Sequence, residues 1–224
     1  MPAIPKGHVA RSITRALAGR SKLTPDVTAL AGLSPPTLRH FLNNVCNFPS
    51  ANYLEIGTWM GATLISASYG NPGRFTAIDN FAWSPPVRAT FEKVRERFGE
   101  SCHVTFHDAD CWNPALPRKL PKNVNVYFYD GPHGYEDHYQ AFTRYDLVLA
   151  REFVAVVDDW SFWPIRKATR DAFAKLGYRT VFEQEFLAKE TWSNGLFIAV
   201  VRKGRPAKAA GKPPRSGPRR SSQR

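Results

Sequence analysis

The residues best suited to chemistry lie in two short runs of the 224-residue chain. The first, Val126-Tyr-Phe-Tyr-Asp-Gly-Pro-His-Gly-Tyr-Glu136, is an apolar strand pattern that delivers Asp130 and then a Gly-Pro turn presenting His133. The second, Phe153-Val-Ala-Val-Val-Asp-Asp-Trp160, ends another apolar run with Asp158 and Asp159. Neighbouring strands lie about 5 Å apart, so if the two runs are adjacent, Asp130, Asp158 and Asp159 meet. Three crowded carboxylates need a cation to offset their repulsion, and hard oxygen ligands favour Mg²⁺, Mn²⁺ or Ca²⁺ over zinc. Without a metal, one carboxylate must be protonated or paired with Lys or Arg. An unperturbed imidazole titrates near neutrality, which suits His133 to proton transfer.

A third run supplies a ligand loop. Ala51-Asn-Tyr-Leu-Glu-Ile-Gly-Thr-Trp-Met-Gly61 reads as a strand, a turn containing Gly57 and Gly61, and the start of a helix. Such a turn lets backbone approach a ligand closely and directs helix N–H groups at it, although an ordinary strand-to-helix turn has the same pattern. Glu55 at the strand end would attract a cationic, hydroxyl-rich ligand. Asp79 follows 24 positions later at the end of the next strand candidate, where a carboxylate accepts ribose hydroxyls in nucleoside-binding folds. Asp110, in His107-Asp-Ala-Asp-Cys-Trp112, is placed to receive an adenine amino group; Asp108 competes for that role, and a plain Asx-turn is the alternative.

These residues need elements to hold them. Strand candidates at 52–56, 74–78, 103–107, 124–129 and 153–157 alternate with helical patterns near 61–69, 86–99, 135–150 and 164–176. That rhythm predicts an α/β fold with a mainly parallel sheet, helices on both faces and the strand C-termini on one ligand-binding edge. Residues 179–187 and 196–202 are strand candidates joined by a loop containing Asn194-Gly195, with no room for a helix. They should form an antiparallel hairpin. Upstream, residues 8–20 carry apolar residues at helical spacing, and Ser34 is an N-cap candidate for a helix with Pro35 in its first turn.

Together, Leu54-Glu-Ile-Gly-Thr-Trp-Met-Gly61, Asp130-Gly-Pro-His-Gly-Tyr-Glu136 and Val156-Val-Asp-Asp159 resemble class I S-adenosylmethionine-dependent methyltransferases. More narrowly, they look like the group that includes macrocin O-methyltransferase and related metal-dependent O-methyltransferases of sugars and natural products. The resemblance covers about residues 35–203. It implies a Rossmann-like, doubly wound seven-stranded sheet of order 3-2-1-4-5-7-6 with an antiparallel terminal hairpin. It also implies that Glu55, Gly57, Thr58 and Gly61 hold S-adenosylmethionine with Asp79 on the ribose and Asp110 on the adenine. Asp130, Asp158 and Asp159 would ligate Mg²⁺ or Mn²⁺, with Asp130 and His133 catalytic and His133 the base. Two departures stand out: Arg151-Glu152 replaces the Gly-Gly common before the fifth strand, and Ala141 lies where many relatives place an Asp. The acceptor would be a small molecule or sugar with a vicinal diol or catechol-like pair of hydroxyls. Trp83, Trp112, Trp160 and Trp163, on the loops after strands, would serve as a lid or stacking platform, or pack in the core.

Composition sets the remaining expectations. The formal net charge is +12, but nine of the basic residues lie between Arg202 and Arg224, where there is no Asp or Glu. The remainder carries 22 basic against 19 acidic residues, so the body is nearly balanced. The chain therefore divides into an N-terminal extension over residues 1–33, a methyltransferase domain over 34–203 and a basic, disordered tail over 204–224. The tail would bind an anionic partner weakly, and the extension would cover the site or complete a homo-oligomer. No apolar run approaches the ~20 residues of a membrane span, and three cysteines at unrelated spacings suit a reducing, cytoplasmic setting. Two other readings are an RNA or protein methyltransferase tethered by the tail, and a noncatalytic nucleotide-binding module.

Overall fold

The computed structural model describes residues 4–204 other than 101, 189 and 190. Seven strands form one sheet: β1 (Asn52–Ile56), β2 (Arg74–Asp79), β3 (Val104–Asp108), β4 (Val124–Tyr129), β5 (Leu149–Asp158), β6 (Arg179–Phe186) and β7 (Leu196–Arg202). Their order is β3-β2-β1-β4-β5-β7-β6, as the resemblance implied. The first five are parallel; β7 runs antiparallel to both β5 and β6. The helices are α1 (His8–Leu17), α2 (Pro25–Thr28), α3 (Pro36–Val45), α4 (Ala62–Ser68), α5 (Arg88–Phe98), α6 (Leu116–Lys119), α7 (Tyr135–Thr143) and α8 (Trp163–Leu176).

The central strands are buried on both faces, so they read as mainly apolar runs, and alternate residues enter different layers. Val126 and Phe128 of β4 join Leu38, Phe41 and Leu42 of α3 and Leu64 of α4 on one face. Tyr127 and Tyr129 join Phe142 of α7 and Ile165 and Phe173 of α8 on the other. The helix expected near the N-terminus is α1. It docks on α3 through Val9, Ile13 and Ala16, and is tied there by a 3.0 Å contact of His8 Nε2 with the Val45 carbonyl and by Arg15 donating to Asn44.

Three boundaries differ from the sequence reading. Arg151 and Glu152 do not shape a turn before β5; they lie within it, where Glu152 pairs with Arg202 across β7. The helix expected over 135–150 stops at Thr143, because Asp146 is drawn to the Tyr178 hydroxyl and Lys203 and the chain turns into β5. Pro35, not Ser34, is the N-cap of α3, and the Ser34 hydroxyl accepts from Arg39 instead. Except for Gly204, the predicted basic tail lies outside the described residues.

Candidate active site

Parallel winding leaves the C-terminal ends of β1, β2, β4 and β5 on one edge of the sheet, and the predicted residues gather there. After β1 the chain turns with left-handed backbone at Gly57 (φ 85°), Trp59 (φ 47°) and Gly61 (φ 85°) before entering α4. Gly57 is required sterically: a Cβ there would stand 2.0 Å from the carbonyl oxygen of Asp130. The glycine turn therefore lies directly against the end of β4.

Asp79 braces this turn. One carboxylate oxygen accepts from the backbone N–H groups of Thr58 (2.9 Å) and Trp59 (2.8 Å); the other accepts from Phe81 N–H (2.7 Å). The loop amides that the sequence reading leaves free for a ligand are thus largely used within the protein; Gly57 N–H bonds the Ile78 carbonyl and Gly61 N–H that of Thr58. Asp79 Oδ1, with a single N–H partner, keeps a lone pair for a hydroxyl. Glu55 lies beneath the turn, fully buried, and accepts from the Thr63 hydroxyl (2.7 Å) and the Tyr53 hydroxyl. Burial pushes its pKa up to about 7.

Asp110 is exposed and accepts from Trp112 N–H at 2.8 Å, the Asx-turn geometry. Its competitor Asp108 accepts from both terminal guanidinium nitrogens of Arg88 (2.5 and 2.9 Å), which engages both of its oxygens.

At the ends of β4 and β5 the expected convergence occurs with a change of membership. Asp130, His133 and Asp159 bring one carboxylate or imidazole atom each within 4.8 Å of one another. Asp158 is not in that group: its carboxylate accepts from the N–H of Asp159 (2.9 Å). Asp158 is the last residue of β5, whereas Asp159 lies just beyond it and is free of the strand's alternation of faces. The left-handed backbone of Asp159 (φ 56°) then turns its side chain toward His133.

The electrostatics follow from this geometry. His133 Nε2 lies 3.7 Å from Asp130 and 2.8 Å from Asp159, and the two carboxylates hold the imidazolium, raising its pKa to about 10. Asp159 is lowered in turn, by His133 foremost. Burial raises both Asp130 and Asp158, and the Asp130 carboxylate adds to the shift of Asp158. Two carboxylates and an imidazole nitrogen at this spacing are a fitting donor set for a divalent cation. The imidazole moves the preference from Mg²⁺ toward Mn²⁺ and its neighbours in the transition series.

Sequence reasoning missed one contact here. Asn194 donates its side-chain amide to the second oxygen of Asp159 (2.8 Å), while its carbonyl accepts from Ser161 N–H. The β6–β7 loop thereby holds the turn after β5. Asn-Gly reads as a hairpin turn, and nothing in its pattern points across the sheet to Asp159. His138 is wholly buried with both ring nitrogens unpaired, packed edge-on to Tyr129 at 4.7 Å; burial lowers its pKa to about 3. Of the four tryptophans considered for a platform, Trp160 is core, stacked on Phe197 at 4.2 Å. Trp83 and Trp163 are 77 % and 63 % exposed, and Trp83 leans on Trp59.

Comparison with known proteins agrees with this fold. Residues 54–160 match the model of a family described as a methyltransferase domain. No curated protein matches the chain. Solved structures with the same fold include an O-methyltransferase from Bacillus cereus in complex with SAH (16 % identity, TM-score 0.58, covering 89 % of this chain and 93 % of that one). A precorrin-6y C5,15-methyltransferase from Geobacter metallireducens aligns at 17 % identity and TM-score 0.59, over 82 % and 98 % of the two chains. TrmN from Thermus thermophilus aligns at 16 % identity and TM-score 0.55 over 80 % of this chain, which spans about half of that protein's length (52 %).

Proposed function

We propose that this chain, which belongs to the class I S-adenosylmethionine-dependent methyltransferases, transfers a methyl group to a hydroxyl oxygen of a small molecule or sugar, with a divalent cation held by Asp130, His133 and Asp159. One observation carries the reading: the glycine turn and the carboxylate–imidazole cluster are in direct backbone contact through Gly57 and Asp130. A nucleotide-binding module without chemistry has no use for that cluster beside its ligand loop.

S-adenosylmethionine supplies a methyl group on a positively charged sulfur. The new O–CH₃ bond forms as the S–CH₃ bond breaks, the sulfur keeps that electron pair, and the acceptor's proton leaves. The protein's part is alignment, exclusion of water and removal of that proton. The Gly57–Gly61 turn, braced by Asp79, and the Asp79 carboxylate would hold the nucleoside and amino acid portions. With its nitrogen on the cation, His133 would serve as a ligand, and the acceptor's proton would pass to a carboxylate oxygen of Asp130 or Asp159 that the cation leaves free. A divalent cation on Asp130, His133 and Asp159 would supply positive charge that lowers the pKa of a neighbouring hydroxyl. Cation and imidazolium compete for the same nitrogen, so loading the site requires His133 to give up its proton. Two oxygens on adjacent carbons could chelate one ion, which favours a vicinal diol.

The test is transfer of radiolabelled methyl from S-adenosylmethionine to a panel of catechols and sugars, after EDTA treatment and after adding back Mg²⁺ or Mn²⁺. Product that needs the cation is expected. Labelling at the same rate in EDTA would remove the metal, and no labelled diol under any condition would remove the acceptor class.

A further inference from the structure

We infer that the acceptor carries an anionic group, a carboxylate or phosphate, that seats against Arg166 in a cavity adjoining the acidic cluster; this rests on the methyl-transfer reading above. The cavity, about 580 Å³, is lined by Trp160, Trp163, Arg166, Lys167 and Arg170 at the start of α8, with Asp171 and Glu185 completing the wall. Its volume is that of a small-molecule site. It is next to the cluster through the chain itself: Trp160 follows Asp159, and Tyr135, two residues after His133, donates its hydroxyl to Asp171 at 2.5 Å.

The lining charges pair off with one left over. Lys167 is bonded to Asp171 (2.6 Å), and Arg170 to Glu183 (2.8 Å) and Glu185 (2.5 Å). Among the described residues Arg166 has no carboxylate partner, and its guanidinium lies 5.8 Å from the Trp163 ring centre. Acceptor atoms facing the Arg166 guanidinium are best supplied by an anion. A cationic occupant would meet the same charge. The exposed face of Trp163 beside it suits a planar or sugar ring.

The experiment measures binding by isothermal titration calorimetry for two matched pairs, catechol with 3,4-dihydroxybenzoate and glucose with glucose 1-phosphate. The pairs separate a carboxylate on an aromatic ring from a phosphate on a sugar. The full chain, Arg166→Ala and Arg166→Lys are compared, with thermal melting to report on the fold. In at least one pair the anionic member should bind at least tenfold more tightly. Arg166→Ala should close that gap, and Arg166→Lys, which keeps the charge but loses the fork, should retain part of it. Equal affinities within both pairs, binding of none of the four, or a gap that survives Arg166→Ala would overturn the inference. Binding needs no turnover, so a failed methyl-transfer assay beside an intact gap would count against the reaction and not against the subsite.

Discussion

Gly57 and Asp130 meet across β1 and β4 so closely that a Cβ on the glycine would stand 2.0 Å from the aspartate's carbonyl oxygen. Ile56, one residue earlier, accepts from Asp130 N–H at 2.9 Å, so the two strand ends are locked together. This contact couples the ligand loop to the acidic cluster and makes it testable.

Gly57→Ala combines a steric overlap with a left-handed backbone, and should cost about 3 kcal/mol or more of stability. The affinity for S-adenosylhomocysteine, by calorimetry, should fall at least tenfold. Gly177→Ala is the control: its φ is 64° with nothing within 4 Å of the added methyl, so only the backbone cost of about 1 kcal/mol applies. Equal losses of melting temperature in the two variants would contradict the contact.

Asp158 and Asp159, adjacent in sequence, should behave differently. Asp159→Asn should weaken Mn²⁺ binding at least tenfold, read by electron paramagnetic resonance of the free ion, whereas Asp158→Asn should change it less than threefold. The reverse order would restore Asp158 as the ligand and remove Asp159.

Asn194→Ala removes a charge-assisted hydrogen bond to Asp159 from an exposed donor, worth about 1 kcal/mol. Turnover should fall roughly fivefold while S-adenosylhomocysteine affinity stays within twofold, because the hairpin loop touches the acidic cluster and not the glycine turn. A loss confined to cofactor affinity would show that the loop acts elsewhere.

Glu55 sets a pH dependence of stability. Its folded pKa is raised from 4.5 to about 7, so the folded chain binds this proton more tightly than the unfolded one. The resulting stabilisation is fully present below pH 4.5 and is lost as pH rises to about 7, in total about 3 kcal/mol. Urea titrations of wild type and Glu55→Gln between pH 4.5 and 7.5 should converge at the acid end and separate toward neutrality, with the variant losing less. Parallel curves would mean that Glu55 does not titrate in this window.

The elements and the chemistry were legible in the chain at different depths. The central strands are runs such as Val124–Tyr129, buried at every position and apolar at all but Asn125 because both faces are covered, and they end at glycine or acidic residues. Their number and direction followed from alternation with helices and from a final pair with no room for one, and their order was what the family resemblance implied. Strand β5 was legible only in its second half, because Arg151 and Glu152 sit at the outer end of the sheet, where polar side chains remain solvated or pair across to Arg202.

By itself the sequence determined that Gly57, Asp79, Asp130 and Asp159 would lie on one edge of a doubly wound sheet, because strand polarity and right-handed connections leave no other edge for their ends. Only the tertiary structure decided which groups on that edge touch. The selection of His133 over Asp158, the enclosure of Glu55 under Tyr53 and Thr63, the engagement of Asp79 by loop amides and the reach of Asn194 from the far hairpin depend on side-chain directions and on backbone turns such as the left-handed Asp159. Those are set by packing among residues far apart in the chain, and local residue spacing carries no record of them.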